Sequence, residues 1–245
     1  MPLDRTASFR NRREAGRALA TELAPLAASR PVVLALPRGG VPIAFEVAKA
    51  LHADMDLLFV RKIGLPGHEE YGFGAVVDGI DPQVVLDEST VQKFGIDAQT
   101  IRGIVKRQLS EIERQRRLYV ENRQLAPVTD RVVIVVDDGI ATGGTMQAAL
   151  RAVRKNRPAR LVLAVPVAPS DILAMLASEC DQIVCLLQPH PFYAVGAYYR
   201  NFSQVEDTDV IRLVAQIHAA REPGQHLPDP KLPGAENHNE QEEQP

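Results

Sequence analysis

The sequence predicts an α/β fold, an open and mainly parallel sheet with helices on both faces, and three observations predict it. Short apolar β-type runs (Val132 to Val136, Leu161 to Val165, Ile183 to Leu187) alternate with segments of helical period at 144–156 and 171–179. A similar run, Val32 to Leu36, is followed by another helical segment, Val41 to Leu51. The run ending at Val136 passes straight into two aspartates and a turn of small residues. Strands alternating with helices pair in parallel, because each crossover helix carries the chain back to the starting edge. The 245 residues, 45% of them hydrophobic, are enough for one sizeable domain with a small appendage.

The elements are expected in this order. Asn11 to Ala28 forms a helix with Ala15, Leu19, Leu23 and Leu26 as its apolar stripe, and Asn11 with Glu14 can form a capping pair. Val32 to Leu36 is a buried strand, ended by Pro37-Arg38-Gly39-Gly40, and the helix Val41 to Leu51 follows. Leu57 to Val60 is a second strand, and residues 61–74 form a long polar loop containing glycines. Gly74 to Val77 and Val84 to Leu86 suggest a hairpin. The longest helix runs from Ala98 to about Arg123, with Ile101, Ile104, Val105, Leu109 and Ile112 on its buried face. Its arginines and glutamates suit a solvated face with local ion pairs. The alternating unit follows, and Val210 to Ala220 is the last helix. One domain is therefore expected over residues 1–221. The composition of 222–245, rich in proline, glutamine and acid with almost no apolar residues, predicts a disordered tail.

Composition excludes several classes. A formal net charge of -3 favours neither nucleic acid nor a membrane surface. No run approaches the roughly 20 apolar residues of a membrane span, and the N-terminus lacks a signal-like apolar core. A cytoplasmic location and small-molecule partners are the expectation. Cys180 and Cys185 lack a metal-type spacing and sit beside or within an apolar run, as buried thiols in a reducing compartment would.

The chemistry concentrates in Val132-Val133-Ile134-Val135-Val136-Asp137-Asp138-Gly139-Ile140-Ala141-Thr142-Gly143-Gly144-Thr145. In open parallel sheets, ligands bind at the carboxyl ends of strands, where this turn lies. Small residues let backbone N–H groups approach a phosphate, the helix N-terminus adds partial positive charge, and threonine hydroxyls can donate. Two carboxylates beside a phosphate would repel it, so sugar hydroxyls, with or without magnesium, would have to lie between them. A nucleoside-triphosphate loop does not fit, because no lysine precedes Thr145.

This string resembles the phosphoribosyl-pyrophosphate motif of the type I phosphoribosyltransferases. The resemblance implies that Asp137 and Asp138 hold the ribose hydroxyls and that Ala141, Thr142, Gly143, Gly144 and Thr145 wrap the 5-phosphate. Arg38, Gly39 and Gly40 resemble the pyrophosphate loop, whose glycines expose N–H groups and whose arginine, also a catalytic candidate, supplies a planar donor fork. Residues 61–74 resemble the mobile loop that closes over the site, with Arg61 and Lys62 as catalytic and pyrophosphate-contacting candidates. Residues 188–203 resemble the hood over the acceptor. Five of the twelve aromatics fall between Phe192 and Phe202, and Phe192 and Tyr193 are the acceptor-stacking candidates.

Together these parts are similar to a bacterial subfamily of unsettled acceptor, sometimes joined to hydrolase domains. The implied reaction is magnesium-dependent transfer of a phosphoribosyl group from phosphoribosyl pyrophosphate to a nucleobase-like heterocycle, within nucleotide metabolism. The implied assembly admits a homodimer. The 6-oxopurine enzymes of the family carry an acidic base in the phosphate loop, and the matching residue here is Ala141, which cannot accept a proton. The alternative is a non-catalytic sensor of phosphoribosyl pyrophosphate.

Overall fold

A computed structural model describes residues 8–65, 68–78, 82–120 and 126–219. The expected tail, 222–245, lies outside the described residues. Five parallel strands form the main sheet: β1 (Val32–Ala35), β2 (Asp54–Leu57), β6 (Val132–Val136), β7 (Arg160–Val167) and β8 (Gln182–Leu187), in the order β2-β1-β6-β7-β8. Seven α-helices are described: α1 (Arg12–Leu23), α2 (Val41–Leu51), α3 (Glu88–Phe94), α4 (Ala98–Tyr119), α5 (Gly144–Lys155), α6 (Ser170–Leu176) and α7 (Asp207–Ala219). Strand order reverses between β1 and β6, which pair with Ala35 opposite Val136. The crevice at their carboxyl ends is the topological switch point, where open α/β sheets bind ligands.

The apolar runs follow from burial on both faces. Val33, Ala35, Ile134 and Val136 join one core with residues of α1, α2 and α7. Val32, Leu34, Val133 and Val135 join the other with residues of α5 and α6. Asn11 caps α1, its Oδ1 accepting from the Glu14 N–H at 3.0 Å. Glu14 itself reaches the Arg10 N–H, one residue before the position a capping box uses. The expected single helix to Ala28 tightens after Leu23 into a 3₁₀ turn, Ala24–Ser29, with Pro25 near its start.

Two strand expectations also differ from the structure. The second strand is Asp54–Leu57 rather than Leu57 to Val60. Its polar residues hid it: Asp54 pairs with Arg131 at 2.9 Å, and buried Asp56 accepts the N–H groups of Leu57 and Ala126 at 2.8 and 2.9 Å. The expected loop at 61–74 instead supplies most of β3 (Val60–Leu65) and the start of β4 (His68–Val77). With β5 (Gln83–Leu86), these form a separate antiparallel sheet. Its alternation was visible in part, since Ile63, Leu65 and Phe73 are buried while Lys62 is exposed. The glycines permit close strand approach: a Cβ on Gly74 would lie 2.5 Å from the Val85 carbonyl. The expected hairpin of β4 and β5 forms.

α3 was not anticipated, although its signals are standard. Asp87 accepts the N–H groups of Ser89 and Thr90, and Gly95 closes the helix in the left-handed region. Along α4, Arg114–Glu111 at 2.8 Å and Arg117–Glu113 provide the expected local pairs. Both cysteines are free, and burial pushes the Cys185 thiol up to about 11, so it stays protonated at neutral pH.

Candidate functional site

The β1–α2 loop and the β6–α5 loop meet at the switch point. Leu36 continues the pairing of β1, its N–H donating to the Val136 carbonyl at 3.0 Å. Pro37-Arg38-Gly39-Gly40 therefore lies beside Asp137 and Asp138, and the Pro37–Arg38 peptide is cis. A Cβ on Gly40 would fall 2.7 Å from the Val136 carbonyl and 2.8 Å from that of Leu36. Only glycine admits this approach. The Arg38 guanidinium meets Asp207 at 3.3 Å, at the start of α7. Asp207 also accepts from the Tyr119 hydroxyl at 2.6 Å, at the end of α4. Burial, then the Asp207 contact, pushes the Tyr119 phenol up to about 12, so it remains a donor.

Asp137 and Asp138 follow β6 directly. The Asp138 N–H donates to Asp137 Oδ1 at 2.8 Å, and Arg12 Nε donates to Asp138 Oδ2 at 2.8 Å. Burial, reinforced by the neighbouring Asp138 charge, holds the Asp137 carboxyl well above the ordinary carboxylate range. Burial also raises Asp138, and the Arg12 charge opposes it. A carboxyl pair of this kind favours a bound partner that donates hydrogen bonds to it.

The turn that follows is anchored and open. The Ile140 N–H donates to the Val167 carbonyl at 2.9 Å, and Ile140 is buried. Ala141, Thr142 and Gly144 are exposed and Thr145 is half-exposed. Gly143, at φ +79°, is the N-cap of α5, with no side chain bonded to the first turn. The leading N–H groups of a helix have no intrahelical partner and face an anion readily.

Lys62 and Arg61, adjacent on a strand, point to opposite faces. Lys62 borders a cavity of about 530 Å³ between the β3–β5 sheet and the start of α5, with Thr145 and Arg151 on its other side. Arg61 Nε donates to Gln108 Oε1 of α4 at 3.1 Å. The structure thus brings Arg38, Gly39, Gly40, Asp137, Asp138 and residues 141–145 to one crevice. It sets Lys62 on a cavity sharing Thr145, and it turns Arg61 away toward α4.

The hood residues lie over the same corner. A Cβ on Gly139 would meet Val195 Cγ1 at 2.5 Å, so the hood and the loop after β6 touch there. Phe192 is half-buried and stacks on Tyr198 at 5.7 Å, whereas Tyr193 is 80% exposed. The Tyr199 hydroxyl donates to the Asp138 carbonyl at 2.6 Å. Sequence reasoning missed Arg12, Tyr199, Tyr119 and Asp207 as site neighbours. Each comes from a distant element, and no local spacing marks it. The only signal was the aromatic cluster that contains Tyr199.

Fold and crevice together define an α/β protein with a carboxylate pair and an uncapped helix start at the switch point of a parallel sheet. Residues 84–186 match the family model described as a phosphoribosyl transferase domain, which spans the β6–α5 corner but not the Arg38 loop. "Putative phosphoribosyl transferase Rv0571c" of Mycobacterium tuberculosis H37Rv is 44% identical over 210 residues, covering 86% of this chain and 47% of its own length. The crystal structure of TT1426 from Thermus thermophilus is similar at a TM-score of 0.73 and 41% identity, with 85% of this chain and 98% of that one covered. Residues 84–186 thus carry the likeness to a phosphoribosyl transferase domain. The chain spans about half the length of the curated relatives it matches. Among the described residues, no helix is long and apolar enough to cross a membrane.

Proposed function

We propose that the protein transfers the 5-phosphoribosyl group of phosphoribosyl pyrophosphate to a ring nitrogen of a nucleobase-like heterocycle and releases pyrophosphate. The observation that carries this reading is the meeting of Asp137 and Asp138 with the Arg38–Gly40 loop on one side and the uncapped start of α5 on the other. The ribose hydroxyls donate to the two carboxylates. The 5-phosphate accepts N–H and hydroxyl bonds from residues 141–145. The pyrophosphate lies on the N–H groups of Gly39 and Gly40, with Arg38 and Lys62 supplying charge. Arg61 joins this set only if β3 rearranges on closure.

The acceptor nitrogen's lone pair forms the new N–C1 bond as the C1–O bond breaks. The bonding pair of the latter leaves on pyrophosphate, and the acceptor's N–H proton goes to solvent. Cationic and N–H donors aimed at the leaving oxygens stabilise the charge that develops there. Closure of the β3–β4 segment over the site excludes water, which would otherwise hydrolyse the activated sugar.

Asp137 and Asp138 offer hard oxygen donors that fit magnesium, and the described residues hold no cluster of three ligating side chains. Magnesium held by these carboxylates and the ligand's own oxygens would supply positive charge against the pyrophosphate. The reading implies nucleotide metabolism in the cytoplasm with small-molecule partners, and light scattering tests the homodimer.

The test is pyrophosphate release from phosphoribosyl pyrophosphate and magnesium across a panel of heterocyclic bases. Release that depends on one base supports transfer. Calorimetric binding without release for any base assigns the sensor role instead, and absence of binding removes the site.

A further inference from the structure

Arg12, the first residue of α1, stands between the ribose carboxylates and the hood. Its Nε donates to Asp138 Oδ2 at 2.8 Å and its Nη1 to the Ser203 carbonyl at 2.8 Å. Its guanidinium carbon lies 3.8 Å from the centroid of the Phe202 ring. The side chain is only 11% exposed. A planar guanidinium can serve a carboxylate, a carbonyl and a ring face at once, and an ammonium cannot. Partial burial strengthens both the ion pair and the contact with the ring.

The same hood residues reach Asp138 by a second route. Phe202 packs on Tyr199 at 5.0 Å, and the Tyr199 hydroxyl holds the Asp138 carbonyl. Tyr199 also packs on Phe9 at 5.6 Å, and the Phe9 N–H donates to the Tyr198 carbonyl at 2.9 Å, which ties the segment entering α1 to the hood. Asp138 is therefore gripped at its side chain and at its backbone by one assembly. Across the crevice, Gly39 comes so close to the carboxylate that a Cβ there would lie 2.1 Å from Oδ2. With Oδ2 committed to Arg12, Oδ1 remains to accept a sugar hydroxyl.

We propose that Arg12 is a positioning residue: it sets the Asp138 carboxylate for a ribose hydroxyl and ties it to the hood, so that the sugar and acceptor halves of the site form one unit. This rests on the phosphoribosyl reading of the crevice. It differs from a generic structural role because it predicts loss of sugar recognition without loss of pyrophosphate recognition.

The test is calorimetry on the full chain with magnesium, using ribose 5-phosphate, inorganic pyrophosphate and phosphoribosyl pyrophosphate as separate probes. Arg12→Gln should weaken ribose 5-phosphate and phosphoribosyl pyrophosphate at least tenfold and leave pyrophosphate affinity unchanged. Arg12→Lys, which keeps the charge and loses the fork, should recover only part of the loss. Phe202→Leu, which removes the ring alone, should weaken both sugar ligands several-fold. Wild-type or tighter sugar binding by Arg12→Gln overturns the proposal, as does equal weakening of all three probes or full recovery in Arg12→Lys. Should Arg12→Gln lose its native circular dichroism, the other two variants decide, and unchanged sugar affinity in both overturns the proposal. If the wild-type protein binds neither sugar ligand, the phosphoribosyl reading fails instead.

Discussion

Gly39 and Asp138 approach each other so closely that a Cβ on Gly39 would lie 2.1 Å from Asp138 Oδ2 and 2.6 Å from its Cγ. Gly39→Ala must therefore push the carboxylate off Arg12 or lift the loop off the crevice. Losing one charge-assisted contact costs about 1.5–3 kcal/mol. Binding of phosphoribosyl pyrophosphate should weaken by about one to two orders of magnitude in calorimetry. An alanine variant with wild-type affinity would show that the contact opens freely and does not shape the site.

Gly103 is the contrasting glycine. It is exposed within α4, and a Cβ there would meet nothing within 4 Å. Gly103→Ala should stabilise the protein by about 0.5–1 kcal/mol, because alanine loses less backbone freedom on entering a helix. The readout is a higher denaturant midpoint with an unchanged slope. A lower midpoint would place a contact on that face of α4.

Asp137 sets a pH dependence. Its carboxyl is held well above the ordinary range by burial and by Asp138, so the folded chain keeps a proton that the unfolded chain releases near pH 3.9. The folded state binds more protons between those two values. This group's contribution is thus fully present below about pH 3.9 and declines as pH rises through the folded value. On the phosphoribosyl reading, ribose hydroxyls are held more strongly by the ionised carboxylate than by the protonated form, so sugar binding should strengthen over the same rise and release protons. Calorimetry of phosphoribosyl pyrophosphate in buffers of different ionisation enthalpy measures that release. Asp137→Asn should abolish it, and Asp137→Asn with Asp138→Asn should abolish binding while the fold survives. Retained affinity in the double variant would remove the site assignment.

Much of this architecture was legible because burial on both faces writes itself as unbroken apolar runs. Val132 to Val136 appeared at its observed bounds, and the ordered string from Asp137 to Thr145 marked the corner. β2 escaped because Asp54 and Asp56 interrupt it, and their partners, Arg131 and the Ala126 N–H, lie more than 65 positions away. Most of β3 and the first part of β4 escaped because glycine signals a loop locally, whereas Gly74 serves a close strand approach that only the paired chain reveals. The same limit hid Arg12: nothing near residue 12 announces an aspartate at 138. Pairings set by tertiary closure leave no local period to detect.

Lys62 and Arg61 should separate in kinetics. Lys62 borders the cavity shared with Thr145, while Arg61 is bonded to Gln108 on α4. A contact completed only on closure acts on the transition state more than on the ground state. Lys62→Ala should lower kcat at least tenfold with a smaller change in affinity for phosphoribosyl pyrophosphate. Arg61→Ala should change both by less than threefold. Equal losses in affinity and turnover for Lys62→Ala would make it a ground-state binding residue. A large kcat effect from Arg61→Ala would show that β3 turns this side chain inward on closure.

The two acceptor candidates part company in the structure. Tyr193 is 80% exposed, an unusual setting for a large ring beside the loop after β6. Phe192 is half-buried against Tyr198 and the main core. A planar heterocycle entering beside Gly139 could stack on Tyr193 without displacing any packed group. Phe192 would have to leave its partner to do the same. Tyr193→Ala should therefore raise the acceptor's KM at least fivefold, leaving the melting temperature and phosphoribosyl pyrophosphate affinity unchanged. Phe192→Ala should lower the melting temperature by several degrees, since truncating even a partly buried aromatic removes roughly 1–3 kcal/mol of packing. Any rise it causes in the acceptor's KM would then follow from a loosened hood. Tyr193→Phe discriminates further: stacking alone predicts full activity, whereas a hydroxyl that contacts the acceptor predicts a KM between those of wild type and Tyr193→Ala. If the panel of bases yields a substrate whose KM ignores Tyr193 altogether, the acceptor lies elsewhere in the crevice and the exposed ring has no part in holding it.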